Sequence, residues 1–119
     1  MPHFHLETNL PQEQIPDDLP EKICSILASS LGKPKDYCAA TIIGGAKMYF
    51  KGSSQPTAQA TLMSIGSLGV AENKKHSKVL FEVIEKSLGI PSDRVYIHFM
   101  EAATKDVGHG GTTFHDILG

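Results

Sequence analysis

The sequence of 119 residues contains no tryptophan, two cysteines and 7% aromatic residues. Cys24 and Cys38 form neither a CxxC motif nor a metal-ligand spacing. Cys24 falls on the apolar stripe of a predicted helix and Cys38 begins a predicted strand, so both read as small hydrophobes. Two such thiols, in a chain with no export leader, argue against a disulfide framework. Basic clusters are also missing. Lysine and arginine total 11 against 13 acidic residues, net charge is −2, and no basic run exceeds Lys74-Lys75. A nucleic-acid partner, which needs clustered cations, is therefore excluded. No apolar run approaches the roughly 20 residues that span a bilayer, so membrane insertion is excluded too. The N-terminus has no basic segment followed by an apolar one, so synthesis in the cytosol is expected, with any export by a leaderless route. A chain of this length, 40% hydrophobic and 20% charged, suits one domain over residues 1–119.

What is present is a repeated pattern. Residues 2–8 alternate Pro2, Phe4 and Leu6 against His3, His5 and Glu7, the period of a strand. Asp17 or Asp18 can cap a helix, Pro20 suits its first turn, and Leu19, Ile23, Ile26, Leu27 and Leu31 follow helical spacing. Gly32 stops that helix, Pro34 forbids its continuation, and residues 37–43 read as a second strand. After the turn-rich stretch Lys51 to Pro56, a strand over 58–65, a helix from Val70 to Leu88 and a strand from Val95 to Met100 repeat the cycle. Ser30-Leu31-Gly32-Lys33-Pro34-Lys35-Asp36 matches Ser87-Leu88-Gly89-Ile90-Pro91-Ser92-Asp93 at an offset of 57, with five of seven positions identical. We read internal repeats over about 2–46 and 58–103.

Two βαβ units predict an α+β two-layer sandwich, a four-stranded mixed sheet with both helices on one face. The other face would carry His3, His5, Thr41, Thr61, Tyr96 and His98 with Met63 and Met100. Such a face is uncomfortable in water, and a closed oligomer would cover it. The tail Gly108 to Phe114 is too glycine-rich for a helix and could lend a strand to a neighbour. His109 and His115 within and beyond it are expected to be exposed.

Pro2 carries the chemical interest. Removal of Met1 is expected before a proline and would leave Pro2 with a free secondary amine. An α-amino group titrates near pKa ~8, and partial burial or a nearby cation lowers it towards what a general base needs at neutral pH.

Met1-Pro2, Thr8-Asn9-Leu10-Pro11, Leu31-Gly32-Lys33-Pro34, Gly52-Ser53-Ser54-Gln55-Pro56, Ser64-Ile65-Gly66 and Asp93-Arg94-Val95-Tyr96-Ile97 occur in order along the chain. In these stretches the sequence resembles the macrophage migration inhibitory factor and D-dopachrome tautomerase family over almost its whole length. The resemblance implies a homotrimer of βαββαβ subunits with a site at each subunit interface. It also implies keto–enol tautomerase chemistry on phenylpyruvate- or dopachrome-like substrates, and in many members a cytokine-like role outside the cell, with a cell-surface receptor as a further partner.

By the same resemblance Pro2 is the catalytic base and Lys33 binds the substrate's acidic group. The backbone N–H of Ile65 contacts substrate, Tyr96 enters the pocket from the adjacent subunit, and Val107 forms an apolar wall. No cofactor is implied. A zinc site on His3, His5 and His98 is weighed and set aside, because such residues more often hydrogen-bond at an interface.

Two departures follow from the same comparison. His98 stands where macrophage migration inhibitory factor has asparagine, and a histidine there is expected to alter substrate preference and add a pH dependence. Thr57 and Ala60 replace the CxxC of that protein, so thiol oxidoreductase chemistry is not expected. The alternative reading is a non-catalytic cytokine with a vestigial pocket; a third is a cytosolic metabolic or detoxifying enzyme.

Overall fold

In the computed structural model residues 1–118 are described. The two halves of the chain build matching units. In the first, strand β1 (His3–Thr8) leads to helix α1 (Leu19–Leu31) and strand β2 (Ala39–Ile43); in the second, strand β3 (Ala58–Ser64) leads to helix α2 (Val70–Leu88) and strand β4 (Val95–Glu101). The shared Ser-Leu-Gly-x-Pro-x-Asp stretch performs the same local task twice. Gly32 and Gly89 end their helices in the left-handed region, with φ of 67° and 70°, where a side chain would be strained. Pro34 and Pro91 then extend the chain, each at φ −61°, into a 3-10 turn, Lys35–Tyr37 or Ser92–Arg94. The second strand therefore starts at Ala39, two residues later than its apolar pattern suggests, because residues 35–37 complete that turn.

The sheet order is β2-β1-β3-β4. β1 runs parallel to β2, antiparallel to β3, and β3 parallel to β4. This is the expected mixed four-stranded sheet, with both helices on one side. Phe4, Leu6, Ala60, Leu62 and Val95 meet the stripes of α1 (Leu19, Ile23, Leu27, Leu31) and α2 (Leu80, Ile84, Leu88) in a single core. Each of these side chains except that of Ala60 contributes about 1.5–3 kcal/mol on burial.

The opposite face consists of three register rows: Ala39–His3–Met63–Met100, Thr41–His5–Thr61–His98 and Ile43–Glu7–Gln59–Tyr96. No helix covers it. Tyr96 is 66% exposed and Met100 45%.

The tail departs from the expectation. Gly108–His109 and Thr112–Thr113 form strands β5 and β6 of a hairpin that turns through Gly110 and Gly111, both at positive φ. A short helix α3 (Phe114–Leu118) follows. Glycine allows the turn, while the helix is anchored by Phe114, which is fully buried beneath Tyr37.

Candidate active site

Pro2 lies just before β1, buried, and its carbonyl accepts a hydrogen bond from Ala39 N–H at 3.0 Å. The antiparallel register places His3 beside Met63, so the residues just before β1 face those just after β3, where Ile65 follows. Lys33 reaches the same place from the end of α1. Its Nζ donates to the Ile65 carbonyl at 2.9 Å. Pro2, Lys33 and Ile65 thus converge from three separate segments on one end of the sheet.

The electrostatics favour a base there. The terminal amine, carried by Met1, is pulled below its ordinary value, first by burial and then by the Lys33 ammonium, against a smaller upward pull from Cys38. The thiols are different. Burial raises both Cys24 and Cys38, and Cys24 Sγ donates to the Cys38 carbonyl at 3.4 Å. Both are half-buried and free, and burial disfavours their thiolate forms.

The remaining expected residues lie elsewhere. Tyr96 and His98 sit on the open face of β4, paired with Gln59 and Thr61. Strand rise and spacing put them roughly 19 Å and 14 Å from Pro2 within one subunit. They line a concavity of about 350 Å³ with His5, Glu7 and Thr61, and the Tyr96 ring packs against Phe50 at 4.9 Å. A somewhat larger hollow, about 380 Å³, opens between the outer faces of α1 and α2 around Ile26 and Val83, but it contains neither the amine nor Lys33. Val107 is half-buried in the tail, its carbonyl accepting from Phe114 N–H.

His109 is exposed, as expected, but it is not free: its ring stacks on Phe114 and meets Tyr37 edge-on at 6.0 Å. Tyr37 immediately precedes Cys38 and Ala39, the strand start that pairs with Pro2. The Tyr37–His109 pair thus lies next in sequence to the strand that bonds Pro2, and sequence reading passed over it. An aromatic residue three positions after the helix-ending proline was the available signal. On the open face His3 Nε2 lies 3.3 Å from Thr41 Oγ1, and His5 Nε2 3.8 Å from a Glu7 carboxylate oxygen. Among the described residues, no three His, Cys, Asp or Glu side chains gather to hold a metal. Nor, among those residues, is any helix long and apolar enough to cross a membrane.

A family model described as macrophage migration inhibitory factor (MIF) matches residues 1–115. The chain belongs to this family. A macrophage migration inhibitory factor homolog of Trichuris trichiura is 40% identical over 114 residues, covering 96% of this chain and all of that one. The D-dopachrome decarboxylase-B of Xenopus laevis is 41% identical over 113 residues, covering 94% and 96%. Among solved structures, the macrophage migration inhibitory factor of Trichinella spiralis superposes with a TM-score of 0.91 at 39% identity, covering 94% of this chain and 99% of that one. This member of the family shows identity of the same order to relatives carrying both names, so overall similarity does not assign it to either branch.

Proposed function

We propose that the protein is a tautomerase of small aromatic keto or enol acids, with Pro2 as general base once Met1 is removed. The observation that carries this reading is the convergence of Lys33 and Ile65 beside the buried Pro2, where the amine one residue ahead, on Met1, is lowered by burial and by Lys33. A neutral secondary amine takes a proton from the substrate carbon, and the resulting ammonium returns it to oxygen or carbon. Lys33 does two jobs. It disfavours the protonated amine, and its ammonium attracts the substrate's carboxylate. The backbone N–H of Ile65 and the Tyr96 hydroxyl stabilise charge developing on the substrate oxygen. Val107 closes the apolar side, and His98 sets substrate preference.

Since Tyr96 and Pro2 of one subunit are far apart, the complete pocket takes Tyr96 and His98 from a neighbour. A homotrimer that buries the open sheet faces about a threefold axis meets that need and covers Ile43, Met63 and Met100. The decisive experiment compares Met1-free wild type with Pro2→Gly on phenylpyruvate- and dopachrome-type substrates. Loss of turnover in Pro2→Gly supports the base. Equal and negligible rates would instead support the second reading, a cytokine-like ligand for a cell-surface receptor whose pocket is vestigial. The family relationship motivates that reading.

A further inference from the structure

His76 projects from α2 into the interior and is 2% exposed. Its Nε2 lies 2.8 Å from the Ser67 carbonyl and its Nδ1 2.6 Å from Ser30 Oγ. A carbonyl only accepts, so in the neutral ring Nε2 carries the proton and Nδ1 accepts from the Ser30 hydroxyl.

The two partners bracket the site. Ser30 lies on the last turn of α1, just before Lys33, and Ser67 lies just after Ile65; Lys33 and Ile65 are the residues that meet at 2.9 Å. The turn beyond Ile65 is conformationally demanding. Gly66 has φ 79° and Ser67 φ 62°, the latter costing about 1–2 kcal/mol for a residue with a side chain. Such a turn persists where its surroundings hold it. Here Glu101 Oε1 accepts from Gly66 N–H, Ser64 Oγ donates to the Gly66 carbonyl, and His76 takes the Ser67 carbonyl. Of these three, His76 alone also bonds to α1.

We propose that His76 is a positioning residue: its ring is a strut between the end of α1 and the 65–67 turn that keeps the Lys33 ammonium seated on the Ile65 carbonyl, beside the N-terminal amine. The inference rests on the tautomerase reading for its consequence in turnover, but not for its structural effect.

The test uses Met1-free protein and two readouts, the titration of the Pro2 amine followed by NMR and the steady-state kinetics with phenylpyruvate. His76→Phe keeps ring volume and removes both bonds, Ser30→Ala removes only the α1 end, and His76→Gln restores a donor and an acceptor. In His76→Phe and Ser30→Ala the amine titrates at higher pH than in wild type, as it does in Lys33→Met, and KM rises about tenfold. His76→Gln recovers much of both. A folded Ser30→Ala or His76→Phe whose amine and KM match wild type, while Lys33→Met shifts both, overturns the strut. An unmoved amine in Lys33→Met overturns the strut and the role of Lys33 together. If the titration shifts appear but wild type turns over no substrate, the tautomerase reading fails and the strut stands.

Discussion

Replacing Lys33 by methionine tests the electrostatics of the site most directly. The change keeps the apolar stem and removes the ammonium with its hydrogen bond to the Ile65 carbonyl, 2.9 Å in the native chain. Two separable losses follow. The first is substrate affinity. A carboxylate about 4 Å from the ammonium gains about 4 kcal/mol at the effective dielectric of a protein surface. Desolvation leaves about 1.5–3 kcal/mol of that as net binding, a rise in KM of roughly 10- to 150-fold that holds at every pH. The second is the base. The amine acts only when neutral, so kcat/KM climbs with pH through its pKa and then levels. On the Met1 amine, one residue ahead, burial and then Lys33 lower the pKa, and the same two causes act on a Pro2 amine freed at that place. Without the cation the rising limb moves to higher pH, although burial, the larger cause, keeps it short of the ordinary value. The deficit in kcat/KM must therefore be greatest on the acidic side and shrink towards the plateau. Stopped-flow or steady-state assay of phenylpyruvate enolisation across the limb reads both effects. A deficit of constant size at all pH values would refute the coupling of Lys33 to the amine.

An extra residue retained ahead of Pro2 turns its nitrogen into a tertiary amide with no basic lone pair, so a Met-Gly extension should abolish turnover while leaving the circular dichroism spectrum unchanged; activity equal to that of the processed chain would exclude Pro2 as the base. If Tyr96 serves the neighbouring subunit's Pro2, refolding an equal mixture of Pro2→Gly and Tyr96→Ala chains should recover about a quarter of the native sites by random assembly, whereas a site within one subunit recovers none. His98→Asn exchanges an imidazole for an amide on the open face of β4, and the ratio of rates on phenylpyruvate- and dopachrome-type substrates should change; an unchanged substrate profile would remove His98 from the site. Gly44→Ala places a Cβ at 2.7 Å from Ile15 Cδ1 and 2.8 Å from the Leu10 carbonyl oxygen, an overpacking that should cost about 1–3 kcal/mol in urea unfolding at fixed protein concentration.

The features legible in the sequence were those written in local backbone chemistry. Gly32 and Gly89 supply positive φ, Pro34 and Pro91 fix the extended step after it, and strict alternation in His3–Thr8 assigns each side chain to a face. Together these were enough to specify two βαβ units and the sheet they share. Where the reading missed, the deciding contact was distant. Phe114 turns a glycine-rich tail into a hairpin and a short helix only because Tyr37, far back in the chain, covers it. The site obeys the same rule. Lys33 and Ile65 meet because the end of α1 and the end of β3 arrive at one end of the sheet, and neither residue signals that meeting in its own surroundings. Only family resemblance brought them together beforehand. His76 shows the limit most clearly. On the apolar stripe of α2, one helical turn before Leu80, it reads as an ordinary core position. Its chemistry lies in partners on Ser30 and Ser67, which belong to different elements. A histidine buried with both ring nitrogens engaged fixes the distance between those elements, as an apolar side chain of the same volume does not. That is why His76→Phe, which preserves the core, is the variant that should disturb Lys33.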